Sequence, residues 1–206
     1  MTPRTGREPA FKRLPRAVRE QQILDAAVAV FSHNGYHDTS VDEIAERAAI
    51  SKPMVYAYLG TKEELFVACL HQEGVKLIEA LAAAAAGPDQ TPEQSLSAGL
   101  RAFFRFVAER REGWRVLYRQ ARGQQPFAQV LADLRALLTD GIIGMLSRAH
   151  PGARVEPAAH ALVGAAEAVA DWLVEHPEAD PDVVSEDLMG VIWLGARDML
   201  RGRTRS

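Results

Sequence analysis

The stretch that decides the fold class is residues 39–62, which read TSVDEIAERAAISKPMVYAYLGTK. Ser40 is followed three residues later by Glu43, and this capping-box spacing predicts the start of a short helix. The apolar residues after Ser40 are spaced like one face of that helix: Val41, Ile44, Ala45 and Ala48. Ser51 is suited to cap a second short helix. A tight connection, Ala49-Ile50, separates the two helices.

The second of these helices has an inward and an outward side. Val55 and Leu59, four residues apart, are expected to pack inward. Lys52 and Tyr56, also four apart, then point outward, and a lysine beside an aromatic at a helix start is typical of phosphate and base-edge contacts. The pair of helices predicts a helix-turn-helix. An αα-hairpin packed inside a larger helical protein is the alternative interpretation.

The rest of the chain also has helical periodicity and almost no strand pattern, so the predicted fold class is all-α. A helix over 16–34 precedes the motif and ends at Asn34-Gly35, where Gly35 suits a left-handed position. A second capping box, Thr61 with Glu64, starts a long helix that runs to about Ala86. Further helices are expected near 92–111, 114–122, 126–149, 157–176 and 181–202. Their separators are Gly87-Pro88, Gly113, Gly123, Pro151-Gly152 and Pro177.

Composition narrows the class of protein. The chain has 206 residues, 48% hydrophobic and 25% charged, which fits one or two globular domains. Its one cysteine, Cys69, excludes an intramolecular disulfide framework and favours a reducing compartment. No apolar run approaches the ~18 residues of a membrane span, and the N-terminal segment lacks the apolar part of a signal peptide. We therefore expect a cytoplasmic protein without membrane contact. Its expected association with the nucleoid follows from the predicted helix-turn-helix.

Charge is distributed unevenly along the chain. The formal net charge is -3, but residues 1–19 contain six arginines and lysines against Glu8 alone. A basic, disordered arm over residues 1–15 is predicted, and contact of this arm with a polyanion is one interpretation. A solvated tail without a partner is the other.

The sequence offers no catalytic or metal site. His160, Glu167 and Asp171 lie along one predicted helix, but they span more than ~15 Å at the helical rise and cannot hold one ion together. Cys69 and His71 are two residues apart on a helix and do not face each other. No hydrolase, zinc-protease or phosphate-loop motif is present. We expect a protein that is not an enzyme, with no catalytic residues, no metal and no cofactor.

The segment from about Arg19 to Phe66 resembles the DNA-binding domain of the TetR family of bacterial transcriptional regulators. The matching run is ILDAAVAVFSHNGYHDTSVDEIAERAAISKPMVYAYLGTKEELF, with ILDAA, F-x-x-x-GY, TS, IA, SKP, Y-x-Y and K-E-E-L at the family's spacing. Two positions depart from the pattern: Ala49 replaces the usual glycine of the turn, and Leu59 replaces a phenylalanine. If the turn position is not left-handed, Ala49 is tolerated, so we expect local adjustment and not loss of the motif.

The resemblance implies which residues face DNA. Thr39 and Ser40 match positions that approach phosphate, and Lys62 matches a phosphate-contacting lysine. The residues that match major-groove positions of the recognition helix are Lys52, Pro53, Met54 and Tyr56. Tyr56 and Tyr58 are similar to tyrosines that grip phosphates, although a core position for Tyr58 and simple packing or exposure for Met54 are alternatives. The basic arm is a candidate for an adjacent minor groove.

The resemblance also implies three parts: the basic arm over 1–15, a helix-turn-helix DNA-binding domain over 16–62, and a helical ligand-binding and dimerisation domain over 63–206. A small, largely apolar effector is expected among the helices of residues 62–176. The aromatic candidates to line its pocket are Phe103, Phe104, Trp114, Tyr118, Phe127 and Trp172, with Phe66 and Phe106 also available. His71, Arg115 and Arg119 are candidate polar anchors. For each of these residues, plain core or surface is the alternative.

Two broad apolar helices near 157–176 and 181–202 suit a four-helix homodimer interface, where the small residues Gly190, Gly195 and Ala196 permit close approach. Completion of a monomeric core is the alternative. The implied function is a ligand-responsive transcriptional regulator, with double-stranded operator DNA and a small-molecule effector as partners. A repressor released from a near-palindromic operator is the first interpretation. An activator, or a regulator controlled by a protein partner, is the second.

Overall fold

The computed structural model describes residues 15–85, 90–122 and 126–200, and it describes side chains there except at Leu117 and residues 193–200. Three predictions therefore lie outside the described residues. They concern residues 1–14 of the basic arm, the Gly87-Pro88 separator and the Gly123 separator. The environments of Gly195 and Ala196 are likewise not described.

Nine α-helices and one π-helical segment make up the described chain, in which no strand occurs, so the all-α prediction is confirmed. They are α1 (Arg16–Asp38), α2 (Val41–Arg47), α3 (Lys52–Leu59), α4 (Lys62–Ala85), α5 (Pro92–Glu109), α6 (Arg111–Trp114), the π-helical segment (Arg115–Gln120), α7 (Phe127–Ala149), α8 (Glu156–Glu175) and α9 (Pro181–Leu200). None of the described helices is long and apolar enough to cross a membrane.

Local hydrogen bonds start the helices where the sequence predicts. Ser40 Oγ accepts from the Glu43 amide at 3.2 Å, and the Glu43 carboxylate accepts from the Ser40 amide at 2.9 Å. The same reciprocal pair joins Thr61 and Glu64, so both predicted capping boxes are confirmed. Ser51 stands at the N-cap position of α3, but its side chain makes no capping hydrogen bond.

The turn between α2 and α3 is left-handed, which contradicts the expectation for Ala49. Its φ is +53°, and it is the only non-glycine residue of the described chain with a positive φ. The helix-turn-helix is kept because α2 and α3 pack on each other on both sides of the turn. An alanine in this conformation costs about 1–2 kcal/mol relative to the right-handed region.

Gly113 does not separate two helices, contrary to the prediction. The break lies at Arg110, whose φ of −122° and ψ of 45° end α5 before α6 begins. Gly113 lies inside α6, where a Cβ would meet the Glu73 carboxylate oxygen at 2.2 Å. The glycine is therefore explained by close approach to α4.

A continuous apolar core joins the helix-turn-helix to the other helices through α4. Ile23, Phe31, Ile44 and Val55 are fully buried where α1, α2 and α3 meet. Phe66 on α4 continues this core toward α7. Helix α4 packs against α1, α5 and α7 and also contacts α3. It therefore joins α1–α3, the reading helices of the predicted DNA-binding domain, to the larger helical part.

Candidate DNA-binding surface and ligand cavity

Helix α3 presents an outward face at its N-terminal half. Met54 and Tyr56 are 37% and 45% exposed, respectively, although both are large hydrophobic side chains. Pro53 is also exposed, whereas Val55 between them is fully buried against the core. These exposed positions are the ones that sequence reasoning assigned to a DNA groove.

Lys52 lies at the N-terminal end of this face and forms an ion pair with a nearby carboxylate. Its Nζ donates to Asp42 Oδ2 on α2 at 2.8 Å, and both side chains are solvent-accessible. The hydrogen bond and the charge of Asp42 raise the pKa of Lys52. An exposed pair of this kind contributes little to stability, so Lys52 can exchange Asp42 for a phosphate or a base edge at small cost.

Two further predicted contacts, Ser40 and Lys62, lie where α1 meets α2 and α4. Ser40 is exposed, but its hydroxyl is engaged in the capping box. Lys62 Nζ donates to the His37 carbonyl at 3.0 Å and lies 4.8 Å from the centre of the Tyr36 ring. Lys62 therefore ties the start of α4 to the end of α1 on this side of the molecule.

Thr39 requires a correction. Its side chain is buried, and its hydroxyl donates to the Gly35 carbonyl at 2.6 Å. Gly35 has a φ of +84° with an extended ψ of 164°, so the chain leaves the helical path here without a left-handed helix cap. The Thr39 side chain closes this turn, and its hydroxyl is already engaged as a donor.

Tyr58 lies at the junction of α3 and the start of α1. Its side chain is partly buried. This exposure is intermediate between that of a surface phosphate contact, as predicted, and that of the alternative core position. The guanidinium of Arg16 lies over its ring, 5.5 Å from the ring centre. The first helical residue of the described chain thus lies beside α3.

A cavity of about 490 Å³ opens among α4, α5, α7 and α8. Its wall is mainly apolar and includes Ile78 and Leu81 from α4, Leu100 and Phe103 from α5, and Ile142 and Met145 from α7. The size lies within the range of ~300–1,000 Å³ that is usual for small-molecule sites. The shape is elongated, because the lining from Leu137 to Arg148 covers about 16 Å of α7 at the helical rise.

Polar groups line both ends of this cavity. Tyr118 and Glu167 are 2% and 6% exposed at the end nearer the reading helices, and Arg148 is exposed at the other end. Burial raises the pKa of Glu167, and the charges of Arg135 and Arg122 oppose this rise. Burial also raises the pKa of Tyr118. Both groups are therefore desolvated, in contrast to Arg148.

Of the six aromatic residues predicted to line a pocket, Phe103 and Tyr118 lie in the cavity wall. Trp114 stacks on Tyr118 with ring centres 3.7 Å apart and donates to Asp171 at 3.0 Å, so it supports the wall from behind. Phe104 is fully buried core and is absent from the cavity wall.

Phe127 and Trp172 lie elsewhere. Phe127 packs against Tyr36 and Phe66, with ring centres 4.7 and 4.5 Å away, at the base of the reading helices. Trp172 is 45% exposed and stacks on His176. Aromatic character alone did not identify the cavity, because large rings fill space in a core as readily as they line a pocket.

The proposed polar anchors lie outside the cavity as well. His71 is exposed on α4. Arg115 and Arg119 line a separate polar cleft of about 360 Å³ with His33 of α1. Arg119 also pairs with Glu175.

Sequence reasoning missed most of the cavity wall, which is aliphatic. Leu138, Ile142 and Met145 form a helical stripe on α7, and Gly99 and Gly141 interrupt such stripes on α5 and α7. A Cβ at either glycine would meet nothing within 4 Å. A glycine within an apolar helical face was the sequence feature that could have indicated the cavity.

The π-helical segment connects the cavity with the reading helices. Tyr118 lines the cavity, and two residues later Gln120 Nε2 donates to the Phe31 carbonyl of α1. Val116 and Ala121 in and after the segment are fully buried. π-Helical turns are uncommon and occur frequently at functional sites.

The outer sides of α8 and α9 carry apolar and small residues. Ala161, Ala168 and Trp172 are exposed on α8, and Val183 and Val191 are exposed on α9. The inner polar residues of α8 serve the fold, since Glu167 pairs with Arg135 at 3.2 Å. No three His, Cys, Asp or Glu side chains of the described residues come together in a metal-ligand arrangement.

Comparison with known proteins gives two family matches. Residues 23–69 match "Bacterial regulatory proteins, tetR family", and residues 92–195 match "Tetracyclin repressor-like, C-terminal domain". The chain is 32% identical to the HTH-type transcriptional activator FasR of Mycolicibacterium smegmatis over 89% of this chain and 85% of FasR. It is 29% identical to the HTH-type transcriptional regulator BetI of Rhizobium meliloti over 78% of each chain.

Solved structures give the same result. A TetR-like transcriptional regulator from Rhodococcus sp. RHA1 shares 45% identity, with a TM-score of 0.80 over 90% of this chain and 99% of that one. FadR of Bacillus subtilis, solved with stearoyl-CoA, is 23% identical with a TM-score of 0.72 over 84% of this chain and 96% of that one, which shows a common fold. These four proteins are described as regulators, and none of them as an enzyme.

Proposed function

The chain belongs to the TetR family of bacterial regulatory proteins, and we propose that it is a repressor whose operator binding is released by a small, largely apolar effector. The observation that carries this proposal is the pairing of an outward recognition face on α3 with an apolar cavity of about 490 Å³, both in contact with α4. DNA-binding, ligand-responsive regulation is the common property of the family. The sign of regulation and the effector class are specific to this proposal.

We assign DNA reading to α3 and its surroundings. Lys52 is suited to donate to guanine or phosphate, and Pro53, Met54 and Tyr56 are placed to follow it along the major groove. Ser40, Tyr58 and Lys62 are assigned to the phosphate backbone. The exposure of Met54 and Tyr56 supports this assignment, because large hydrophobic side chains on a solvent-facing helix are typical of an interface.

The basic arm is assigned to DNA as well. Arg16, which directly follows the arm in sequence, lies over the Tyr58 ring of α3. A removal of residues 1–14 is expected to weaken DNA binding and to flatten its dependence on salt, because fewer phosphate charges are neutralised. An unchanged salt slope would contradict this assignment.

Effector binding is assigned to the cavity of residues 63–206. An apolar wall with polar groups at its two ends suits an elongated amphipathic molecule. The complex of FadR of Bacillus subtilis with stearoyl-CoA supports this class of ligand, since FadR shares the fold. The effector can release DNA only if it binds the DNA-free conformation more tightly than the DNA-bound one.

A homodimer through the outer sides of α8 and α9 completes the proposal. Exposed Trp172 and Val191 favour burial against a second copy, and exposed Ala168 permits close helix approach. Such a dimer would place two recognition helices about 34–36 Å apart, or a multiple of that spacing, on a near-palindromic site. It would act on the chromosome, in the cytoplasm.

The dimer assignment is tested by the oligomeric state of Ala168→Arg in sedimentation. We expect a monomer, because a buried unpaired charge would oppose the interface. Val75→Arg is the matched control, since Val75 is a 52% exposed apolar residue on α4 away from this face. If both variants sediment like the wild type, the interface lies elsewhere.

The proposed function is tested by selection of bound fragments from a genomic library at fixed salt. The wild type is expected to enrich a near-palindrome, and Lys52→Ala/Tyr56→Ala is expected to enrich none. Arg154→Ala is the control for lost charge, because Arg154 is exposed in the α7–α8 connection. Equal, weak and salt-sensitive binding by all three proteins would overturn sequence-specific reading.

Activation of transcription is the second candidate function. The observation that favours it is the 32% identity over most of the chain with FasR, which is named an activator. Expression of a reporter gene placed behind the selected operator distinguishes repression from activation. Removal of the regulator raises expression under repression and lowers it under activation.

A further inference from the structure

The inner end of the cavity contains polar atoms that the fold leaves without hydrogen bonds. The Tyr118 hydroxyl and Glu167 Oε1 are both inaccessible to solvent and make no hydrogen bond of good geometry with the described residues. The Tyr118 hydroxyl nevertheless lies close enough to Glu167 to oppose the rise in the pKa of its carboxyl. Arg135 Nε lies 3.2 Å from Glu167 Oε1, but without hydrogen-bonding geometry. Both side chains line the cavity. Buried polar groups are normally satisfied. Glu167 Oε1 has the charge of Arg135 beside it, so it is above all the Tyr118 hydroxyl that indicates a missing partner.

The chemistry of the pair defines the partner. A tyrosine hydroxyl offers a donor, and a carboxylate oxygen offers only acceptor sites. A single ligand group satisfies both atoms if it accepts from Tyr118 and donates to Glu167. A hydroxyl group does this with one oxygen.

The surrounding charges narrow the choice further. A ligand carboxylate at this end would face Glu167 and, beyond it, Asp171. A ligand cation would face Arg135 and Arg122, which lie 3.2 and 3.9 Å from the Glu167 carboxylate and already balance its charge. Desolvation makes an uncompensated charge expensive, so a neutral group fits best.

We infer that the effector is an elongated apolar molecule with a neutral hydroxyl group at its inner end, which bridges Tyr118 and Glu167. Its other end lies near Arg148, whose exposed guanidinium can meet a carboxylate or another anion. This inference rests on the proposed function, because it takes the cavity as the effector site. Dodecanoate in extended form has a length comparable to the cavity, and its ω-hydroxy derivative adds the predicted group.

The test is titration calorimetry of the full chain with dodecanoate, ω-hydroxydodecanoate and ω-aminododecanoate. We expect the hydroxy acid to bind the wild type about tenfold more tightly than dodecanoate, as expected for a completed buried hydrogen-bond pair. In Tyr118→Phe this preference is expected to fall by a factor of about three or more, while dodecanoate binds at least as well as before. Glu167→Gln is the second variant in which the preference for the hydroxy acid is expected to fall. Tyr36→Phe is the control that keeps this preference, because Tyr36 lies outside the cavity wall.

Each other outcome overturns the inference. Equal binding of dodecanoate and its hydroxy derivative would mean that Tyr118 and Glu167 do not recognise a ligand hydroxyl. Tighter binding of the amino acid would mean that charge, and not a neutral hydroxyl, is recognised. If dodecanoate binds and releases operator DNA without any hydroxyl preference, the proposed function stands and this inference fails. If none of the three probes binds, both fail.

Discussion

Glu73 on α4 and Arg110 between α5 and α6 form a two-point ion pair in which the carboxylate is buried. Arg110 donates to the two carboxylate oxygens at 3.0 and 2.9 Å, and Glu73 itself is fully buried. Lys76 adds a third hydrogen bond at 3.0 Å and also reaches Asp25 of α1 at 3.4 Å. One carboxylate thus holds together three parts of the molecule: α1, α4 and the α5–α6 junction.

Arg110→Ala is expected to destabilise the protein by about 3–5 kcal/mol, because it leaves a buried carboxylate short of its main partner. Arg105→Ala removes a comparable two-point pair, with Asp182, that is exposed. It is expected to cost much less, because both side chains of this pair are solvent-accessible. Urea unfolding of both variants measures the difference, and equal losses would show that burial does not govern these pairs.

The loss in Arg110→Ala is expected to shrink in acid. Burial by itself raises the pKa of Glu73, but hydrogen bonds from Arg110 and Lys76 outweigh it and leave that pKa below its ordinary value. A lowered pKa in the folded state adds stability above the unfolded pKa, and this stability disappears as pH falls through the folded value. The two proteins should therefore converge in unfolding free energy below the ordinary carboxyl range. A gap that is constant with pH would contradict this assignment.

Ala49→Gly is expected to stabilise the protein by about 0.5–1 kcal/mol. Glycine relieves the cost of the left-handed conformation, and a part of the gain is offset by its greater freedom in the unfolded chain. Ala48→Gly is the matched control. Ala48 is buried and has a φ of −79°, so the same change there should be destabilising. Thermal unfolding of both variants measures these changes in stability. A loss of stability in Ala49→Gly would mean that the Ala49 methyl group makes a compensating contact.

Asp42→Asn is expected to increase DNA affinity several-fold at low salt. The substitution releases Lys52 from its ion pair and removes a negative charge beside the outward face of α3. The gain in DNA affinity should shrink as the salt concentration rises. Asp133→Asn on α7 removes the same charge from another surface and is the control. Weaker binding by Asp42→Asn would show instead that the carboxylate positions Lys52 for DNA.

Gly99→Leu is expected to abolish effector binding while operator binding is kept. A side chain at Gly99 enters open cavity space, and replacement of a glycine inside a helix removes a penalty of about 1 kcal/mol. Gly99→Ala gains in helix stability but leaves most of the cavity open, so it should still respond to the effector. Measurement of DNA affinity with and without ligand gives the operator binding and the effector response of each variant. A Gly99→Leu protein that still responds would place the effector site outside this cavity.

Gln120→Met is expected to reduce the effect of the ligand on DNA affinity several-fold, with little change in either affinity measured alone. The side chain links the cavity-lining π-helical segment to the Phe31 carbonyl of α1, and coupling free energy must pass through contacts that differ between the two states. Gln129→Met, which loses only a surface hydrogen bond to Asp133, is the control. Unchanged coupling in Gln120→Met would leave α4 as the route.

The sequence by itself determined the helix-turn-helix, because its signals act over a few residues. The capping boxes Ser40–Glu43 and Thr61–Glu64 and the buried position of Val55 all follow from local hydrogen bonding and helical spacing. Helical spacing also predicted the outward position of Tyr56, whereas Met54 was assigned by the family resemblance.

Only the tertiary structure decided which large side chains enclose empty space. Phe103 and Tyr118 line the cavity, whereas Phe104, Trp114 and Phe127 fill the core, although all five are aromatic residues of one helical region. The difference arises from what packs opposite each ring, and those partners are far away in the chain. Gly113 was misread as a break for the same reason, since its cause is the Glu73 carboxylate forty residues earlier. Local pattern determines helices, whereas a cavity depends on how distant helices fail to fill the space between them.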